Sequence, residues 1–361
     1  MDALQSVRET LKDYDLDDIS IATIGSHSAL QIFRGAREEG FKTVCICTKG
    51  RDKLYKRFKL VDEFIYVKSL KDILDEGVQA RLRDLNAVVV PHGSFNAYIN
   101  QSEMEEKFRV PLVGNRTLLK WETSRHLQHK WLSEAGLRVP KIYDKIDDID
   151  GLVFVKFPGA RGGKGYFIVD SPEAYDGKMA DMIEKGLVTE EVAKKPYIQE
   201  YIIGVSVYPH YFYSALSGEI ELIGIDKRYE SSVDGIDRIP VPEQLAQKIN
   251  PSFTIVGNFP MVVRESLLDK YFEMGEQIVA KSKKIASPGA VGPFCLETIV
   301  TEDLDVVAFE ISARIVAGCN VNIGYSPYTY LSYGEPMYMG KRIAREIKEA
   351  VKSGELSKVV T

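Results

Sequence analysis

The chain has 361 residues, more than one hydrophobic core usually serves, so two or three packed units are expected. Apolar residues make up 45%, and 47 basic against 52 acidic residues leave a net charge of −5 spread along the whole chain, an ordinary globular composition with no polybasic arm for nucleic acid. No leader pattern opens the sequence and no apolar run approaches the ~20 residues that cross a bilayer, so a cytoplasmic protein with no membrane partner is expected.

Residues 18 to 26 form an apolar run that breaks at Gly25, and Ala29, Leu30, Phe33 and Ala36 then recur at helical spacing up to Gly40. A second apolar run, Thr43 to Cys47, follows, and strand, helix, strand in that order predicts a parallel sheet. Further strands are expected at 63–67, 87–91 and 110–113, with a charged helix over 71–85. The amphipathic pattern from Arg116 to Ala135 predicts one long helix that stops at Gly136. Beyond it strands come close together, at 152–157, 165–169, 197–202, 206–215 and 219–228, as in antiparallel sheets. A last helix is expected over 340–352. Cys45, Cys47, Cys295 and Cys319 fit neither a disulfide framework nor a zinc site and read as buried thiols.

The segment from Leu152 to Val169 carries the strongest chemical signal. Two apolar strands flank Gly159, Gly162, Gly163 and Gly165, interleaved with Arg161 and Lys164, and Lys156 lies on the first strand. Glycines let backbone N–H groups turn toward phosphate oxygens while the cations neutralise their charge. Glu200, Tyr201 and Ile202 then form a short edge suited to adenine, with Glu200 accepting from its exocyclic amine. Glu297 and Glu310 lie in neighbouring apolar strands, where burying two acids is costly unless a cation joins them; magnesium takes such carboxylates together with substrate phosphates. In the first unit, Gly25-Ser26-His27-Ser28 and Pro91-His92-Gly93-Ser94 each follow a strand, where open α/β sheets bind ligands.

A Lys strand, a glycine loop, the Glu200-Tyr201-Ile202 hinge, Glu297 and Glu310-x-Ser312-x-Arg314 together resemble the ATP-grasp superfamily across residues ~116 to ~330. The fold implied is an N-terminal doubly wound parallel-sheet domain (1–115) followed by an ATP-grasp region with antiparallel sheets (116–361). That region would comprise a connecting helix (116–140), an ATP-binding lid (141–205) and a C-terminal catalytic part (206–361). The resemblance implies that Arg125 or Lys130 and Lys156 bind ATP phosphates and that Glu297 and Glu310 hold magnesium, or manganese. Two positions depart from the usual pattern: Ser312 replaces an Asn, and the acid often found after the hinge is missing near Ser206, which makes Glu230 a candidate for a ribose or metal contact.

With the loops at Lys49-Gly50-Arg51, Asp226-Lys227-Arg228 and Gly257-Asn258-Phe259, the whole chain is similar to the archaeal formate-dependent ligases of purine synthesis. That similarity implies activation of formate by ATP and attack by the 5-amino group of the aminoimidazole carboxamide ribonucleotide (AICAR). His27 and Ser94 would then meet its ribose phosphate, and Asn258, with a donor and an acceptor for an amide, its carboxamide. Arg228 and Arg264 would meet formate or the formyl phosphate. A homo-oligomer is expected. Rival expectations are a ligase for another carboxylate or amine-bearing nucleotide, and a non-catalytic nucleotide sensor.

Overall fold

The computed structural model describes residues 3–161, 164–236, 238–246 and 253–361, without the side chains of 3, 4, 6, 158–165, 245 and 253. Four strands, β1 (Ser20–Ile24), β2 (Lys42–Thr48), β3 (Glu63–Val67) and β4 (Ala87–Val89), make an all-parallel sheet in the order β3-β2-β1-β4. Every residue of β1 is buried, as a strand covered on both faces requires. Helix α1 (Ala29–Glu38) buries Ala29, Ile32, Phe33 and Ala36, and the short α2 (Gly93–Tyr98) follows β4. The strand expected at 110–113 is absent. Leu112 and Val113 meet Val89 and Val360 only as isolated bridges, next to Pro111, which has no N–H to give a ladder.

Two expected helices are also broken. The charged stretch 71–85 is a 3-10 turn at Leu70–Leu74 and a helix at Glu76–Asp84, parted by extended Asp75. The connecting helix 116–140 is two helices, α3 (Arg116–Glu122) and α4 (Arg125–Glu134), and it ends short of 140. Between them Thr123 closes the first helix, and Ser124 adopts extended backbone with its side chain accepting from Leu127 N–H, so it caps a new helix instead of continuing the old one. The amphipathic spacing carried across the break and concealed it.

The second sheet is antiparallel, with β5 (Ile142–Tyr143), β6 (Val153–Arg161), β7 (Lys164–Val169) and β8 (Tyr197–Glu200) in the order β5-β8-β6-β7. The glycine segment prolongs both arms of the β6–β7 hairpin, and Arg161 pairs with Lys164 after a register shift beyond Lys156. Gly162 and Gly163, and the side chains of Arg161 and Lys164, lie outside the described residues, as does any contact of the proposed phosphate cradle at Gly159.

The third sheet, β11-β10-β9-β12-β13, is antiparallel and built from β9 (Val205–Tyr213), β10 (Ile220–Ser232), β11 (Phe253–Pro260), β12 (Gly292–Val300) and β13 (Val306–Ser312). Side chains alternate between faces of a strand, so the register sorts the residues. Tyr211, Phe294, Leu296 and Ile311 pack on one face with Trp131 of α4 and with Tyr271 and Ile278 of α5 (Leu268–Ile285). The other face presents His210, Asp226, Arg228, Asn258, Glu297 and Glu310.

The last helix, α6 (Met339–Lys352), returns to the first sheet and crosses α1. The crossing is glycine on glycine: a Cβ at Gly35 would overlap the Gly340 backbone, and one at Gly340 would overlap the carbonyl of Gln31. The tail then joins the segment after β4, where Leu112 and Thr361 exchange two backbone hydrogen bonds of 3.0 and 2.8 Å. Buried Arg116 reaches the carbonyl of Val110 and the main-chain oxygen of Thr361. Among the described residues no helix is long and apolar enough to cross a membrane.

Candidate active site

Glu297 and Glu310 are direct cross-strand partners, with a bulge immediately after Glu297. Such partners face the same side with Cβ atoms about 5 Å apart, and like charges there repel. The Glu297 charge, and then burial, push the Glu310 carboxyl up to about 7, although Arg228 and Lys156 pull the other way. Arg228 clamps Glu297 with both guanidinium arms, one at 2.7 Å from Oε2, and lies over the Tyr208 ring at 4.3 Å. Glu297 is therefore already ion-paired, and Glu310 is the freer carboxylate.

The donor set suits a small divalent cation. Magnesium takes one or two carboxylates and completes its shell with water and nucleotide phosphate oxygens, a pattern that two facing carboxylates fit.

Lys156 projects from β6 toward this pair. Its Nζ donates to Gln199 Oε1 at 3.0 Å on neighbouring β8, and it lies 4.9 Å over the Phe154 ring. Burial pulls its ammonium below the usual lysine range, Glu310 and Glu297 counter that pull, and Arg125 reinforces it. Those four charges therefore share one region. Arg125, at the start of α4, also donates to Phe157 O at 3.3 Å. Lys130 is different: it is exposed and meets Glu134 one turn along, 3.9 Å away. Of the two residues offered for the phosphates, the geometry brings in Arg125 and leaves Lys130 outside. We expect Arg125→Ala to raise the KM for ATP about tenfold and Lys130→Ala to change it less than twofold, read by steady-state kinetics. Equal effects would remove this distinction.

At the hinge, Glu200 Oε2 accepts from Lys141 N–H at 2.9 Å and Glu200 N–H donates to Lys141 O at 2.8 Å, so this carboxylate also fastens β5 to β8. Tyr201 is exposed and Ile202 half-buried beyond it. Glu230 is half-buried, and burial raises its carboxyl pKa against the pull of Arg228. Arg264 is exposed at the start of a short 3-10 turn, with no ion pair to the cluster among the described residues.

The loops of the first sheet close the far side of the cleft. His27 takes a left-handed backbone (φ 50°), its Nδ1 lies 2.7 Å from Ser28 Oγ, and its ring stacks parallel to His92 with centroids 5.4 Å apart. A Cβ at Gly93 would crowd His27 Nε2 at 2.7 Å, which is why glycine stands there. The ring reaches solvent on one side, yet surrounding protein, then His92, Arg314 and Arg228, hold it below the usual histidine range. Fully buried His92 is 2.9 Å from Ile24 O through Nε2, so that nitrogen carries the proton, while Nδ1 accepts from Ser94 N–H at 3.2 Å. His92 also bridges Ile315 on the third sheet's side. Ser94 is buried beside it.

Several participants carry no signal in single-sequence reading. Glu122 of α3 holds Arg314 (2.7 Å) and accepts from Ala313 N–H (2.8 Å), fixing the segment after β13. Arg314 stood in a recognised pattern, but Glu122 looks like any polar helix position. Buried His210 likewise reads as an ordinary strand residue, and Asp226 stood in a quoted segment without a role of its own; His210 Nε2 and Asp226 Oδ1 are 2.7 Å apart, and Asn258 Nδ2 donates to Asp226 Oδ2 at 2.6 Å.

Residues 21–143 match a protein family of unknown function (DUF1246), and residues 174–361 a domain of unknown function (DUF1297). A 5-formaminoimidazole-4-carboxamide-1-(beta)-D-ribofuranosyl 5'-monophosphate synthetase from Methanocaldococcus jannaschii is 52% identical over 355 residues, with 98% of each chain covered. The chain belongs to this synthetase family. A solved structure described as an IMP biosynthesis protein PurP from Thermococcus kodakaraensis matches with a TM-score of 0.74 at 33% identity, covering 94% of this chain and 100% of that one. The biotin carboxylase domain of a Hydrogenobacter thermophilus 2-oxoglutarate carboxylase, in complex with MgADP, matches at TM-score 0.63 and 16% identity over 90% of this chain and 69% of that one. At that identity the likeness speaks for fold alone, and the synthetase family has the ATP-grasp fold with a parallel N-terminal sheet.

Proposed function

We propose that this chain is an ATP-dependent carbon–nitrogen ligase that joins formate to the 5-amino group of AICAR, giving 5-formaminoimidazole-4-carboxamide ribonucleotide, ADP and phosphate. The observation that carries this is the convergence of elements from all three sheets on one cleft, where Lys156 and Arg125 face Glu297, Glu310 and Arg228, and Arg228 in turn lies close enough to His27 to act on its charge. The γ-phosphoryl group would pass to a formate oxygen as its bond to the β-phosphate oxygen breaks. The 5-amino nitrogen would then attack the formyl carbon, and phosphate would leave with the C–O electron pair as the nitrogen loses a proton.

In this scheme Lys156 and Arg125 neutralise the nucleotide phosphates, and Arg228, beside the carboxylates, faces the formyl phosphate. Magnesium at Glu297 and Glu310, or manganese with the same octahedral oxygen preference, would neutralise the transferring group. His27 and Ser94 would hold the ribose phosphate, with His27 acting as a neutral hydrogen-bonding group because its imidazole is held below the usual range. Asn258 would meet the carboxamide. Glu230 would meet the ATP ribose or the metal.

Phosphate release should require ATP, formate and AICAR together. If glutamine, acetate or bicarbonate replaces formate equally well, this assignment is wrong. His27→Ala should raise the KM for AICAR about tenfold and leave that for ATP within twofold; matching losses would indicate a folding defect.

A further inference from the structure

We infer that Asp226, backed by His210, is a positioning residue that fixes which end of the Asn258 amide faces the substrate, and so makes the site select a group bearing N–H. This rests on the reading of Asn258 as an AICAR contact.

The geometry follows from what each group can do. A carboxylate only accepts hydrogen bonds, so the Asn258 atom 2.6 Å from Asp226 Oδ2 is the NH2 nitrogen. By the same rule the His210 Nε2 facing Asp226 Oδ1 at 2.7 Å carries a proton. Asp226 thus receives one donor on each oxygen. His210 is fully buried and Asp226 only 2% exposed, and neither is offered to a ligand directly.

The pair is also held in place sterically. A Cβ at Gly318 would overlap the Asp226 carboxylate, and one at Gly224 would overlap the Asn322 amide, so the 3-10 turn at Gly318–Asn322 lies against the carboxylate only because both positions are glycine. Asp226 cannot swing away, and the Asn258 amide cannot rotate without setting its own oxygen against a carboxylate. With Nδ2 held by Asp226, the Asn258 oxygen occupies the other branch of the planar amide, and Asn258 is half-buried, so that branch can meet a ligand.

The sequence suggested that Asn258 offers donor and acceptor alike to an amide. One of its two N–H groups is in fact committed to Asp226, which fixes the amide plane and leaves the oxygen, beside the second N–H, in a set place for the ligand. An amide N–H satisfies that oxygen. A carboxylate in the same place sets acceptor against acceptor, and an unpaired polar contact in a closed site discriminates strongly. Asn258 is also the register partner of Arg228, so what it reads lies beside the reacting groups.

The test compares kcat/KM for AICAR with that for its analogue carrying a carboxylate in place of the carboxamide, in wild type, Asp226→Asn and Asn258→Ala. Wild type should favour AICAR by at least about a hundredfold. Asp226→Asn can donate to the Asn258 oxygen and let the amide turn over, so the preference should fall at least about tenfold, with the carboxylate analogue gaining in absolute terms. Asn258→Ala should lower the preference by losing AICAR without improving the analogue. Gly318→Ala, which displaces the carboxylate without altering its chemistry, should lower it a few-fold and serves if Asp226→Asn does not fold by circular dichroism. A preference unchanged within twofold in a folded Asp226→Asn or Gly318→Ala protein overturns the inference. If wild type fails to formylate AICAR at all, the proposed function fails instead, and if Asn258→Ala alone shifts the preference, Asn258 reads the substrate without help from Asp226.

Discussion

Glu310→Ala should lower turnover by on the order of 10²–10³-fold or more, with the KM for AICAR far less affected. Glu310 is the carboxylate of the pair that is not already clamped by an arginine, so it is the better placed to hold a cation against the transferring phosphoryl group. Its removal should not harm the fold. The side chain faces Glu297 across the ladder, and that repulsion is the first cause of its raised pKa. In the presence of EDTA the melting temperature of the variant should equal or exceed that of wild type. Near-normal turnover would remove Glu310 from the metal site, and a large drop in melting temperature would make the activity loss uninformative.

Arg228→Leu should both inactivate the protein and destabilise it. The substitution removes the bidentate partner of a carboxylate that is 5% exposed, leaving a buried charge beside a second acid. Breaking such a pair costs about 3 kcal/mol where the cation, as here, keeps some contact with solvent. Differential scanning calorimetry would measure it. Millimolar magnesium should narrow the gap to wild type, because a cation at the two carboxylates does part of what the guanidinium did. A gap that is absent without magnesium, or that magnesium leaves untouched, would show that Arg228 does not compensate these acids.

What the sequence made legible follows from local periodicity and from chemistry concentrated in short segments. β1, α1 and β2 fall within about two residues of their expected bounds because apolar runs and helical spacing change abruptly at Gly25 and Gly40. The break at Ser124 was hidden because Leu119 and Leu127, eight residues apart, keep helical spacing across it. The strand expected at 110–113 fails through a single Pro within an otherwise apolar run. In the site, Glu297 and Glu310 were visible as acids among apolar neighbours, and the register confirms that they face each other. Glu122, His210 and Gln199 were not visible, because their partners lie far away in sequence and no local pattern marks a polar residue that will be paired across a fold. Lys130 and Arg264 differ from Lys156 in being exposed, a distinction that the stretch of sequence around a cation does not reveal.

The return of α6 and the tail to the first sheet has a consequence for the order of folding. Gly340 seats on α1 and Thr361 pairs with Leu112, so the apolar cluster containing Ile32, Val88 and Val113 is completed by Ile343, Ile347 and Val360. During synthesis the first ~115 residues would emerge long before their cover exists. The parallel sheet, which carries His27 and Ser94, would stay loosely packed until residues 339–361 had left the ribosome. A substrate cleft shared with the later sheets would therefore assemble only after that segment emerges, and a fragment ending near residue 115 should expose that cluster and aggregate when expressed alone.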